Sequence, residues 1–434
     1  MTVNNGTNQT CDPPYPIPKG LRIIPLDQLD LRSDAEVDAI IKSAPPVTST
    51  KNLWFFWNSG YEDLHPYAKR NVRTWHRRFS RQGWTIRVMD LEPESSGYIG
   101  NWIDIRNPKN VPMAFTNGVL DGEFATQHYS DLVRFPLLLK YGGIYTDVGF
   151  MQIGDLDRLW EETIANSYSP FEVLSYNAGG PRDYSLLNYF MGSLPGNKFW
   201  QACHDLLLKL WEGKTNTEGL HGHPLLKGLP LMGESFSKSG DTSLSERLTD
   251  YIIQGQAITM VMSTVDKERG WNGPTYVTKK IFAPDYMVGS QLINEYTNWN
   301  GLQAFNLMSL KVARLGEPES DDQKLAREIV VDCFTRSFGF KLAHGLIVQV
   351  LGPTLGSLWR KHEGSDVVEG TYAHWLRHLV KEFKVDVFQN SSINWRPPLG
   401  LFMPKLCIFR QVIMLFLRQD VVVVCEEDST SFAK

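Results

Sequence analysis

The run Tyr141-Gly142-Gly143-Ile144-Tyr145-Thr146-Asp147-Val148-Gly149 is the most informative stretch of the chain, and just upstream Ser130-Asp131-Leu132-Val133-Arg134 lies on a segment that reads as a helix. A helix carrying an acid and an arginine therefore passes through two adjacent glycines into a short apolar strand that ends on Asp147. An isolated Asp before Val-Gly is ordinary turn chemistry. The company of Asp131, Arg134 and the paired glycines turns the reading of Asp147 from a plain turn former toward a site residue.

Working outward, Ser33-Asp34-Ala35-Glu36 has the form of a capping box that opens a helix running to Ile41, and Pro45-Pro46 ends it. Residues 53–57 (Leu-Trp-Phe-Phe-Trp) read as a first buried strand and residues 84–89 as a second, with a long helix over 67–82 between them. That is a βαβ opening, so the fold class expected is α/β: a mixed, mainly parallel sheet flanked by helices, with a helical extension at the C-terminal side. Ligands in such sheets sit beyond the carboxyl ends of strands. Trp57, Asn58, Ser59 and Gly60, at the end of the first strand, are thus candidate substrate-lining residues, or equally a plain turn. On the helix over 67–82, Ala68, Val72, Trp75 and Phe79 fall on one apolar arc. Lys69, Arg73, Arg77 and Arg81 climb the opposite side with Arg70 and Arg78 beside them, and no neighbouring acid is visible in the segment. Such a stripe is either a solvated face or a track for a phosphate backbone.

Further along, residues 198–211 and 251–264 have helical periodicity, and residues 321–349 read as helical with a break near Gly339. The loop Thr217-Glu218-Gly219-Leu220-His221-Gly222-His223-Pro224 clusters His and Glu near small residues without a zinc-type spacing, and Leu229-Pro230-Leu231-Met232-Gly233 follows it. The expected organisation is an N-terminal arm and helix over 1–50, a catalytic core over 51–316, a helical region over 317–390 and an irregular tail over 391–434.

The 434 residues are 42% hydrophobic and 21% charged, with thirteen Trp, which suits a chain with a sizeable core. A net charge of −4 gives no global attraction to nucleic acid. The five cysteines are widely spread with no metal-type spacing, and read as reduced thiols of a cytoplasmic protein. The first twenty residues carry no apolar signal core, and residues 406–424 are interrupted by Arg410, Arg418 and Asp420, so no membrane association is expected. On that basis the sequons at Asn5, Asn8 and Asn390 carry no weight.

The block from Asp131 to Asp147 resembles the strand-end motif of capsular-polysaccharide-type glycosyltransferases with the GT-A fold, in which a strand ends in Asp-X-Asp. The resemblance implies that the acids hold Mn²⁺ or Mg²⁺ against a sugar-nucleotide diphosphate, as hard cations require, that His221 or His223 is a candidate further ligand for the metal or diphosphate, and that residues 229–233 are a weaker acceptor-side candidate. Here Asp147 supplies the first acid and would be the metal ligand, but Gly149 stands in the second position. The chain also resembles, from Ile17 to about Leu379, a group of fungal arginine-containing cyclodipeptide synthases. The stretches that carry this are Trp54-Phe55-Phe56-Trp57-Asn58-Ser59-Gly60, the 130–149 block, Thr249-Asp250-Tyr251-Ile252-Ile253-Gln254-Gly255-Gln256 and Ser357-Leu358-Trp359-Arg360-Lys361-His362. This second resemblance implies formation of a cyclo(Arg-Xaa) diketopiperazine from arginyl-tRNA and a second aminoacyl-tRNA, with no cofactor, as the scaffold step of a secondary-metabolite pathway with downstream tailoring enzymes. In that scheme Asp147, Asp131 and Arg134 are the catalytic candidates, Tyr145 and Gly149 join the substrate-binding ones, and Lys69, Arg70, Arg73, Arg77, Arg78 and Arg81 face tRNA. The synthase reading is taken first and metal-dependent glycosyl transfer second, with a binding or scaffold protein as a third.

Overall fold

Every residue of β2 (Asn52–Phe56) is buried, as its unbroken apolar run requires of a strand covered on both faces. It lies inside the sheet, pairing in parallel with β3 (Thr85–Met89) on one side and β4 (Gly143–Thr146) on the other. Next to β4 runs β7 (Phe190–Ser193), antiparallel both to β4 and to β6 (Val173–Leu174), and β10 (Ile281–Phe282) closes the far edge parallel to β6. The order β10-β6-β7-β4-β2-β3 makes a six-stranded, mainly parallel mixed sheet with helices packed on its faces, which is the expected α/β, GT-A-like class. The computed structural model describes residues 15–179, 184–232, 242–314 and 316–385. The tail over 391–434, its apolar run, the three sequons and Gly233 lie outside the described residues.

Alternation along the strands divides the interior in two. Leu53, Phe55 and Ile144 enter one core together with Trp75 and Phe79, whereas Trp54, Phe56 and Tyr145 enter the other with Phe135, Leu138 and Trp200. Three small pairs complete the strands: β1 (Leu21–Ile23) with β12 (Phe383–Val385), β5 (Phe150–Gln152) with β11 (Gly339–Lys341), and β8 (Val265–Asp266) with β9 (Trp271–Asn272), all antiparallel. Among the described residues no helix is long and apolar enough to cross a membrane.

The N-terminal helix Asp34–Lys42 carries the expected capping box, with Ser33 and Glu36 satisfying each other's backbone N–H groups. The next helix, Pro66–Phe79, buries Ala68, Val72, Trp75 and Phe79 as the periodicity predicts. Its basic side differs from the expectation, because acids outside the helix reach it, most of them from elements distant in sequence. Lys69 pairs with Glu62, Arg73 with Asp34 and Asp38, Arg77 with Asp34, and Arg70 with the fully buried Asp366. Arg78 is itself buried and donates to the carbonyls of Gln152, Ile153 and Gly154, while Arg81 alone of the six is exposed. The stripe binds the helix to its neighbours, and a segment read in isolation cannot show this.

Downstream, the helix Asp321–Arg336 starts with Ser320 and Gln323 as a second capping box and with Asp321 and Asp322 in its first turn. Helical periodicity does not continue through Gly339. The chain extends there into β11, whose backbone crosses so close to β5 that a Cβ on Gly339 would lie 2.2 Å from the Phe150 ring.

Candidate active site

The double glycine sets the geometry of the site. The helix Ala125–Tyr141 ends as the Gly142 N–H donates to Leu138, and both glycines take positive φ, +66° and +95°. A Cβ on Gly142 would fall 2.8 Å from Pro195 and one on Gly143 only 2.3 Å from the Asn52 carbonyl oxygen, so only glycine lets the helix turn directly into β4 against β2. The register then follows: Trp54 lies beside Tyr145, and the parallel strands deliver Asp147 and the turn Trp57-Asn58-Ser59-Gly60 to the same carboxyl edge. That turn is closed by the Gly60 N–H on the Trp57 carbonyl and tied to the loop after β3 by the Leu91 N–H on the Asn58 carbonyl. The turn and Asp147 thus share the edge at which α/β sheets bind ligands.

Asp131, Arg134 and Asp147 meet. One terminal nitrogen of Arg134 is 3.0 Å from Asp131 Oδ1 and 3.3 Å from Asp147 Oδ1, while the other donates to the Asn188 carbonyl at 2.7 Å. The guanidinium lies over the Tyr145 ring, whose hydroxyl hydrogen-bonds Ser130 Oγ at 2.7 Å. Burial pushes the Tyr145 phenol up to about 12, against the opposing charge of Arg134. Burial works against the charge of Arg134 too, but Asp131, Tyr145 and Asp147 outweigh it and hold its pKa above the ordinary value. Asn188 donates to Asp131 Oδ1 at 3.2 Å and to Gln254 Oε1 at 3.0 Å, and Gln254 donates to the Asp131 carbonyl at 2.7 Å.

Three residues of this site had no signal in the sequence reading: Asn188, Gln254 as a contact of Asp131, and Lys341. The last matters most. The Lys341 ammonium is 2.7 Å from Asp147 Oδ2, so each oxygen of this carboxylate faces a cation. Burial would raise the pKa of Asp147, but Lys341 and then Arg134 overcome it and hold the carboxyl below its usual value. Beyond Lys341 stands His344, hydrogen-bonded to the Tyr67 hydroxyl. Burial, then the charges of Lys341 and Arg360, pull it down to about 3, so it is neutral.

Gly149 lies where a second acid would complete a metal site. A Cβ there would be 3.0 Å from the Leu342 carbonyl oxygen and 3.6 Å from the Lys341 ammonium. Among the described residues no group of three or more His, Cys, Asp or Glu side chains could hold a metal ion. A hard divalent cation such as Mg²⁺ keeps several waters and is held by one or two carboxylates with substrate phosphates, and here the Asp147 carboxylate faces a cation on each oxygen. As paired, Asp147 offers a divalent cation no unpaired carboxylate oxygen.

His221 and His223 each have a hydrogen-bond partner at Nδ1. His221 Nδ1 faces Asp250 at 3.0 Å, and Asp250 also accepts the N–H groups of Gly219 and His221, so this acid builds the loop. His223 Nδ1 accepts the Leu225 N–H as the cap of a short helical turn.

Comparison with known proteins decides between the two resemblances. The model of the capsular polysaccharide synthesis protein family matches residues 27–218. The O-glycosyltransferase braB of Annulohypoxylon truncatum is 33% identical over 370 residues, covering 83% of this chain and 87% of that protein. The glycosyltransferase afumC of Aspergillus fumigatus is 31% identical over 363 residues, 81% of this chain and 90% of the relative. The O-glycosyltransferase PaGT of Phomopsis amygdali is 31% identical over 370 residues, 83% and 89%. These relatives overturn the cyclodipeptide synthase reading, and with it arginyl-tRNA and a second aminoacyl-tRNA as partners. The ion pairs of the basic helix remove the support that an unpaired stripe gave to that reading. The chain belongs to the glycosyltransferase family that these fungal proteins represent.

Proposed function

We propose that the protein transfers a sugar from a nucleoside-diphosphate donor to a hydroxyl group of a small acceptor. The observation that carries this is the extent of the likeness: relatives named glycosyltransferases align over 87% to 90% of their own length. The placement of Asp147 and Arg134 at the carboxyl edge of the sheet is consistent with it. In the reaction the acceptor oxygen forms a bond to the anomeric carbon, the bond from that carbon to the diphosphate oxygen breaks, and its electron pair leaves on the nucleoside diphosphate. The acceptor proton ends on the released phosphate or in solvent.

The negative charge that develops on the leaving diphosphate must be met by preorganised positive groups. In this reading Asp147 orients the cations around it, Asp131 holds the fork of Arg134, and the turn Trp57-Asn58-Ser59-Gly60 lines the donor side. Tyr145 supports Arg134 from beneath, and Gly149 leaves the loop slim beside the donor. The test is to incubate the purified protein with a panel of nucleotide sugars and hydroxyl acceptors and to follow release of nucleoside diphosphate. Turnover that falls by about 10²-fold or more in a folded Asp147→Asn variant supports the reading. No turnover of any nucleotide sugar by the folded protein would end it.

A further inference from the structure

We propose that Lys341, delivered by β11 to the end of β4, binds the donor diphosphate in the place where a divalent cation would otherwise stand. This rests on the nucleotide-sugar reading above and adds how the diphosphate is held. Three observations converge on it. The ammonium sits 2.7 Å from Asp147 Oδ2, the spacing of a direct ion pair. The position that would supply a second acid is Gly149, and the direction of its missing side chain leads to the same ammonium at 3.6 Å. The two pairing side chains keep some solvent contact, 15% for Lys341 and 26% for Asp147, so an anion can reach them.

The fold holds Lys341 there deliberately. Residues 339–341 pair with β5 in the register Gly339 with Gln152, Phe340 with Met151 and Lys341 with Phe150. The Leu342 N–H then donates to the Gly149 carbonyl at 2.9 Å, which locks the lysine to the loop that carries Asp147. An ammonium is a compact point charge with three donors and suits phosphate oxygens. A carboxylate behind it fixes its position as it would fix a metal ion. Lys341 and Arg134 flank Asp147 on opposite oxygens, so Lys341 is the more accessible of two cations on one carboxylate.

The experiment is calorimetric titration of the full chain with uridine, guanosine and adenosine diphosphates, each in excess EDTA and again with Mn²⁺. The expected result is that at least one diphosphate binds in EDTA, that Mn²⁺ changes its affinity less than about twofold, and that Lys341→Met weakens it about tenfold or more under both conditions, while Lys341→Arg restores most of the loss. Thermal melts confirm that each variant is folded, and Lys341→Gln serves should the Met variant not fold. A Gly149→Asp variant supplies the second acid and is expected to make binding respond to Mn²⁺. Binding that requires Mn²⁺ in the natural protein and is indifferent to Lys341→Met would overturn the inference and leave glycosyl transfer standing. Absence of binding by all three diphosphates under both conditions would overturn both.

Discussion

Replacing Arg134 by Met keeps the length and apolar bulk of the side chain and removes its charge and donors. The guanidinium is buried and satisfies Asp131 at 3.0 Å, Asp147 at 3.3 Å, the Asn188 carbonyl at 2.7 Å and Ser130 Oγ at 3.1 Å. Asp147 keeps Lys341, so the main damage falls on Asp131, left buried with Asn188 and a histidine 3.6 Å away. Removing one partner of a buried ion pair costs about 3–5 kcal/mol, because the other charge stays desolvated. We expect a loss in that range for Arg134→Met, read from urea unfolding followed by tryptophan fluorescence with midpoints compared at a common slope. Adding Asp131→Asn removes the stranded charge, and the double variant should regain at least about 1 kcal/mol over the single one. A single-variant loss below about 1 kcal/mol, or a double variant whose losses simply add, would refute this picture of the pair.

Three further outcomes follow from the geometry. Gly143→Ala puts a Cβ 2.3 Å from the Asn52 carbonyl at a φ of +95°, and should destabilise the protein by about 2–5 kcal/mol in the same unfolding assay. His344 is held down to about 3 by burial and by Lys341 and Arg360. Between that value and the unfolded histidine value of about 6.5 the unfolded chain binds the extra proton, so stability is intact above about pH 6.5 and falls as pH drops, by up to about 1.4 kcal/mol per pH unit. His344→Gln should flatten that slope between about pH 6.5 and 5, and an unchanged slope would remove His344 as its source. Arg77→Gln breaks a pair with the exposed Asp34 and should cost about 1 kcal/mol in unfolding midpoints, whereas Arg73→Gln also breaks the largely buried pair with Asp38 and should cost more. Neither should alter nucleotide-sugar turnover by more than about twofold, and a large effect would give the basic helix a substrate role after all.

What the sequence made legible was local. The capping box at Ser33, the first buried strand, read over 53–57 and observed over 52–56, and the helix that ends at Gly142 are each specified by adjacent residues, and each stands within a residue of where the pattern put it. Asp131, Arg134 and Asp147 could be singled out as candidates for the same reason, since a helix and one glycine pair join them along the chain, whereas their meeting on one guanidinium is seen only in the structure. Two further features were not legible, because the partner comes from a remote segment. The cations of Pro66–Phe79 looked unpaired only because Asp34, Asp38 and Asp366 lie on other elements. Lys341 arrives on a three-residue strand, too short for any periodicity to register, within a segment whose apolar spacing reads as helix. Gly149 was visible as a missing acid, but the cation that takes up the space beside it was not.

Glycosyl transfer is tested by following the sugar itself. A nucleotide sugar carrying a radiolabel in the sugar is incubated with the purified protein and a hydroxyl acceptor, and the label is traced by chromatography. Label is expected to move to the acceptor with release of one nucleoside diphosphate per sugar, and folded Asp147→Asn is expected to lose this transfer. Label that stays on the nucleotide throughout the panel of donors, with the protein folded, would contradict that expectation.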